Sequence, residues 1–117
     1  FDGVSMADIR AASIRLSELF IREVEAACPS LVLASPRDPA RRGSQVSFRF
    51  AHGYAAMQAV IAHGVVGDFR APDIMRFGFT PLYIGEDDVR AAAATIAKVV
   101  NEGLWDRPEH HRKSAVT

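Results

Sequence analysis

GVVGDFRAPDIMRFGFTPLY, residues 64–83, reads as two short apolar strands around a tight polar turn. Val65–Phe69 and Asp73–Phe79 are the expected strands, joined through Arg70, Ala71 and Pro72. A connection this short requires an antiparallel hairpin. Alternation then places Met75, Phe77 and Phe79 on one face and Ile74, Arg76 and Gly78 on the other. The first set is bulky and suits a layer of helices. The second contains an arginine, a residue almost never fully buried unless paired. A guanidinium presents a planar fork that matches a carboxylate bidentately, and Gly78 two residues away leaves that fork uncrowded. Half-exposed antiparallel sheets also carry arginine outward in ordinary surface ion pairs. Spacing alone does not separate the two readings of Arg76.

Outward from the hairpin, the remaining elements follow from periodicity. Ser5 with Asp8 has the form of a capping box with Asp in place of Glu or Gln. Behind it Ile9, Leu16, Phe20, Val24 and Ala27 recur at helical spacing, with Ala12, Ser13 and Leu19 in the same stripe. Glu18 and Arg22 support the outer side at i,i+4. This helix is expected to end at Cys28, because Pro29 disfavours helix in the residue before it. Leu31–Ala34 is a short apolar strand, and residues 35–43 form a turn-rich loop. Ser44–Phe50 alternates with Val46, Phe48 and Phe50 on one side and Gln45, Ser47 and Arg49 on the other, a half-buried strand. Gly53–His63 is a helix with Tyr54, Met57, Val60 and Ile61 inward. Thr80–Gly85 is a loop, and Glu86–Asn101 a helix with Val89, Ala93, Ile96 and Val100 inward, stopped at Gly103.

The order helix, strand, strand, helix, strand, strand, helix implies an α+β two-layer sandwich, a small mixed or antiparallel sheet with helices on one face. Ser44–Phe69 forms a βαβ crossover, expected to be right-handed. Residues 1–104 make one domain, and 105–117 a polar tail expected to fray.

Bulk properties narrow the function. With 117 residues, 49% of them hydrophobic, and zero formal net charge, the chain suits one soluble domain. A nucleic-acid or membrane-surface binder would carry a basic excess. The lone Cys28 forms no internal disulfide and reads as a small apolar residue in a reducing, cytoplasmic protein. No apolar run approaches the roughly 20 residues of a membrane span. The chain opens FDGVSMADIR, without an initiator Met, and reads as a piece of something longer.

Other candidates for chemistry are weaker. His52 and His63 lie eleven positions apart, outside metal-ligand spacing, and suit caps or the surface. His110 and His111 have no carboxylate or cysteine companions in a recognisable pattern. Asp87 and Asp88 suit the positive end of a helix dipole. Asp68 and Arg70 suggest a local ion pair, and Arg41 with Arg42 a solvated loop. Lys98 and Lys113 do not look like buried catalytic amines. No phosphate loop, nucleophile elbow or Cys/His cluster is present. The sequence therefore offers no catalytic, cofactor-binding or metal residue of its own.

RRGSQVSFRF (41–50) and GYAAMQAVIAHGVVGDFRAPDIMRFGFTPLY (53–83) resemble the carboxy-terminal part of kynureninases, pyridoxal-phosphate enzymes of the aminotransferase-like fold (fold type I). The resemblance extends from the first helix to about residue 103. Its specific parts are the RGSQVSF strand and the pairing of GVVGDFR with IMRFGFTPLY. It implies hydrolysis of kynurenine to anthranilate and alanine, with pyridoxal 5'-phosphate attached to a lysine of a large amino-terminal domain. The smaller domain closes over the site, and by position Arg76 receives the α-carboxylate of the substrate. Full-length members are homodimers. The large domain is outside this sequence, so this chain alone is expected to be inactive and to bind the cofactor weakly or not at all. A related pyridoxal-phosphate lyase or cysteine desulfurase is the nearest rival reading. A stand-alone ferredoxin-like module binding an amino acid is another, disfavoured by the FDG opening. An RNA-binding sheet would need exposed aromatics and a basic surround, and the aromatics here fall on inward faces.

Overall fold

Ser5 and Asp8 form the capping box that the sequence implies. The Ser5 hydroxyl accepts from the Asp8 backbone N–H at 3.1 Å, and the Asp8 carboxylate accepts from the Ser5 N–H at 3.5 Å. Behind this cap runs α1 (Met6–Ala27), ended before Pro29 as expected. Its buried stripe contains Ser13, Leu16, Leu19, Phe20 and Val24, and takes in Ser17 and Ile21 as well. Ala27, assigned inward by spacing, is exposed, and the inward position one turn after Val24 is taken by the neighbouring Cys28. The computed structural model describes residues 5–38, 41, 45–78 and 85–111. The expectations for Phe79, for residues 80–84 of the loop, for Arg42 and for Lys113 lie outside the described residues.

The remaining elements are β1 (Val32–Leu33), β2 (Gln45–Arg49), α2 (Gly53–Ala62), β3 (Asp68–Arg70), β4 (Ile74–Gly78), α3 (Glu86–Asn101) and α4 (Pro108–His111). The strands form one sheet in the order β1-β2-β4-β3, with every neighbouring pair antiparallel. Since β2 and β3 both run against β4, they run parallel to each other. The crossover through α2 therefore exists, split by β4 inserted between its two strands. This is the two-layer α+β architecture that the element order implies.

Phe48, Val46, Met75 and Phe77 point from the sheet into the helical layer and are fully or almost fully buried. Phe20 on α1 meets them, its ring centroid 6.0 Å from that of Phe48 and 5.3 Å from that of Phe77. On α2 the inner side is Ala55, Ala56, Met57, Ala59 and Val60. Ile61, assigned inward by spacing, is exposed. Three alanines let the helix sit close to the sheet, which turns Ile61 past the edge of the contact. The Asn101 side chain donates to the Ala27 carbonyl at 2.7 Å, tying the ends of α3 and α1 together. After α3, Gly103 adopts φ +66°, the left-handed conformation that favours glycine at a helix stop. Within the segment read as a polar tail, Trp105 stacks on His52 at 4.3 Å, and His110 of α4 is buried.

Candidate functional site

The opposite face of the sheet carries the polar half of each strand. The register sets Ser47, Arg76 and Asp68 in one row across β2, β4 and β3. The next row holds Val32, Arg49, Ile74 and Arg70. Among the described residues no helix covers this face. Residues directly opposite on antiparallel strands project to the same side, so Asp68 and Arg76 meet there.

They meet bidentately. Nε of Arg76 donates to Oδ1 of Asp68 at 2.7 Å, and Nη2 donates to Oδ2 at 2.6 Å. The Arg76 side chain retains 26% of its exposure and that of Asp68 54%, so the pair is reached by solvent on the outer side. The hydrogen bonds from Arg76 hold the Asp68 carboxyl below the usual carboxylate range, and the charges of Arg76 and Arg70 act in the same direction. The same bonds raise the already high pKa of Arg76. Its guanidinium is therefore a permanent cation, fixed in plane and aimed outward.

The expected local pair of Asp68 with Arg70 gives way to this one. Arg70 and Asp68 lie on the same strand two positions apart, whereas Arg76 lies directly opposite on β4. The hairpin register contained the signal. With Arg70 opposite Ile74 across the Ala71–Asp73 turn, stepping out two positions on each strand brings Asp68 to Arg76. Arg49 in the neighbouring row pairs with Asp73 at 3.3 Å. Among the described residues, three arginines against two aspartates leave the centre of this face with a positive balance.

Gly67 fixes the backbone at this point. A Cβ there would lie 2.5 Å from the carbonyl oxygen of Arg76 and 2.8 Å from Cε of Met57. Only a residue without a side chain permits the approach. On the other side of Arg76, the nearest described neighbour of a Cβ placed on Gly78 is Cγ of Gln45 at 4.0 Å. The side fork of Arg76 is nonetheless taken by Asp68, which the sequence reading did not anticipate.

The remaining candidates settle into structural roles. A ring nitrogen of His63 lies 2.7 Å from the Ala59 carbonyl at the end of α2. Asp88 accepts from the Gly85 N–H at 2.9 Å and caps α3. Arg41 donates its backbone N–H to the Asp38 carbonyl at 3.0 Å. Cys28 is buried, and burial pushes its thiol pKa up, the direction of an inert apolar residue. Among the described residues no cluster of His, Cys, Asp and Glu is placed to hold a metal ion, and no helix is long and apolar enough to cross a membrane. Lys98, the described lysine, is exposed on α3 away from the sheet face. The described residues thus lack a buried amine or phosphate cradle fit to hold pyridoxal phosphate.

A family profile described as the kynureninase C-terminal domain matches residues 9–96. The kynureninase of Burkholderia mallei (strain SAVP1) is 44% identical over 119 positions, covering 100% of this chain and 29% of the relative. The kynureninase of Burkholderia pseudomallei (strain K96243) shows the same values, and that of Pseudomonas fluorescens is 42% identical over the same coverage. The chain spans 29% of the length of these curated relatives. Their names favour the kynureninase reading over the lyase, desulfurase and regulatory-module alternatives. By the profile match and by identity along its whole length, the chain belongs to the kynureninase C-terminal domain family.

Proposed function

We propose that this chain acts as the C-terminal domain of a kynureninase hydrolysing kynurenine to anthranilate and alanine, and that Arg76 binds the α-carboxylate of the substrate. The observation that carries the second part is the outward guanidinium of Arg76 on a sheet face without a helical cover. A carboxylate held by two parallel N–H···O bonds is fixed in direction as well as place. For an amino-acid substrate that fixes rotation about the Cα bonds, and orientation at the reacting centre is a large part of catalysis. The rest of the enzyme would hold pyridoxal phosphate, since the described residues do not fit it.

The sheet face is open because its natural cover is the large domain with bound substrate. Closure of this domain brings Arg76 to the carboxylate and excludes water from the site. On this reading the 117-residue chain alone turns over no kynurenine, and the full-length enzyme is a homodimer. The test is steady-state conversion of kynurenine by the full-length enzyme with Arg76 intact and with Arg76→Ala. Loss of a bidentate charge-assisted pair is expected to raise KM by about a hundredfold. An unchanged KM would remove Arg76 from substrate binding. Conversion of another amino acid with no action on kynurenine would transfer the domain to a related activity.

A further inference from the structure

Asp68 occupies one edge of the Arg76 guanidinium. The two bonds it accepts come from Nε and Nη2, the side edge of the group. Both N–H of Nη1 and the second N–H of Nη2 remain. One from each nitrogen projects off the end of the group in parallel, a second fork of the same geometry. Among the described residues nothing besides Asp68 accepts from Arg76.

An arginine alone on a solvated face samples many rotamers and must be ordered by whatever it binds. Asp68 orders it beforehand. The two residues are direct partners in the β3–β4 register, and the adjoining Gly67 lets the β3 backbone press against the Arg76 carbonyl. The charge of Asp68 opposes a second carboxylate, and nearby Arg70 offsets that charge.

We propose that Asp68 is a positioning residue for carboxylate recognition: it holds the side edge of Arg76 so that the end edge receives the substrate α-carboxylate. This rests on the reading of Arg76 given above. The opposite role is a competitor, with Asp68 occupying the fork until substrate displaces it. The end edge meets no acceptor among the described residues, and this favours positioning, because both carboxylates fit on one guanidinium at the same time.

The two roles predict opposite signs. In the full-length enzyme, Asp68→Asn is expected to raise KM for kynurenine by about tenfold, the equivalent of one charge-assisted hydrogen bond, with kcat changed much less. Competition by kynurenine carboxamide, which lacks the anion, supplies the second readout. The preference for acid over carboxamide is expected to fall about tenfold in Asp68→Asn and to recover in part in Asp68→Glu. In an Arg76→Ala background, Asp68→Asn is expected to change neither quantity further. A lower KM in Asp68→Asn would identify a competitor and overturn the proposal. So would a loss confined to kcat with the acid preference intact, the mark of a merely structural residue. If Arg76→Ala itself leaves KM and the acid preference unchanged, the failure lies in the underlying reading of Arg76.

Discussion

Two glycines bracket Arg76 in space, and alanine at each is expected to act in opposite directions. Gly67→Ala places a methyl group 2.5 Å from the Arg76 carbonyl oxygen, about 0.9 Å short of ordinary contact at 3.4 Å. Two of the three close neighbours, Cε of Met57 and the Phe77 ring at 3.1 Å, belong to side chains, and Met57 at least can turn aside. The carbonyl cannot turn aside, because it belongs to the β4 backbone. Either β3 moves away from β4 or the strand bends at Arg76. Overpacking of this kind costs about 1–3 kcal/mol. For a domain of this size that corresponds to a fall in Tm of about 4–12 °C. The shift also disturbs the Asp68–Arg76 register, so the full-length enzyme should lose affinity for kynurenine at temperatures where it is still folded. Among the described residues Gly78→Ala meets nothing nearer than 4.0 Å, and it has no left-handed φ. Its expected effect runs from neutral to a gain of about 1 kcal/mol through the unfolded chain. Thermal melts of the 117-residue chain and KM values of the full-length enzyme test both. Equal behaviour of the two variants would refute the steric argument, and so would a Gly67→Ala protein with unchanged Tm and KM.

Further outcomes follow from the core and the titrating groups. Phe20→Ala removes a fully buried ring that touches Phe48 and Phe77, and should cost about 3–5 kcal/mol in a denaturant melt. A loss below about 1 kcal/mol would mean the core is not organised around this ring. Asp68 has a lowered folded pKa, so its contribution to stability should be complete above the ordinary carboxylate value near pH 4 and disappear as pH falls through the lower folded value. Melting curves of wild type and Asp68→Asn should therefore converge as acid is added; a gap that does not shrink with falling pH would contradict the linkage. The effect is small because the pair is solvent-reached. Cys28 should resist alkylation in the native chain at neutral pH and react once the chain unfolds, since burial keeps it a thiol. Native labelling as fast as that of the unfolded chain would place the residue outside the core.

The fold was legible where local chemistry and tertiary packing ask for the same residue. The α1 cap, the stop at Pro29, and α3 with its bounds at Glu86 and Asn101 all follow from short-range rules that burial then reinforces. The alternation in β2 and β4 named Phe48 and Phe77 correctly because each strand has one face against helices and one against solvent, while Phe50 at the strand end is only half-buried. Ile61 escaped because periodicity gives the direction of a side chain and not the extent of the contact surface. Helical spacing put it beside Val60, but α2 presses its alanines on the sheet and leaves Ile61 outside. The position of Arg76 was also legible, though its partner was not. Asp68 was paired with its sequence neighbour Arg70, when strand pairing makes a residue eight positions away the nearer one.

That distance in sequence has a functional consequence. Asp68 and Arg76 stand on adjacent strands of one hairpin, closed by the Ala71–Asp73 turn. Sites on strands are held more closely than sites on loops, since ladder hydrogen bonds fix both backbones. A guanidinium positioned by a residue of the large domain would be ordered only after closure, when its ordering would subtract from substrate affinity. Here both groups belong to the same two strands and travel as a unit in any motion of the domain. On the proposed reading of Arg76, the arginine would meet its carboxylate already oriented, the entropy of ordering it having been met by folding. Moving the aspartate to another domain by paired substitution should keep the contact in the closed state while weakening kynurenine binding. Undiminished affinity in such a variant would show that local pairing in the hairpin confers nothing on recognition.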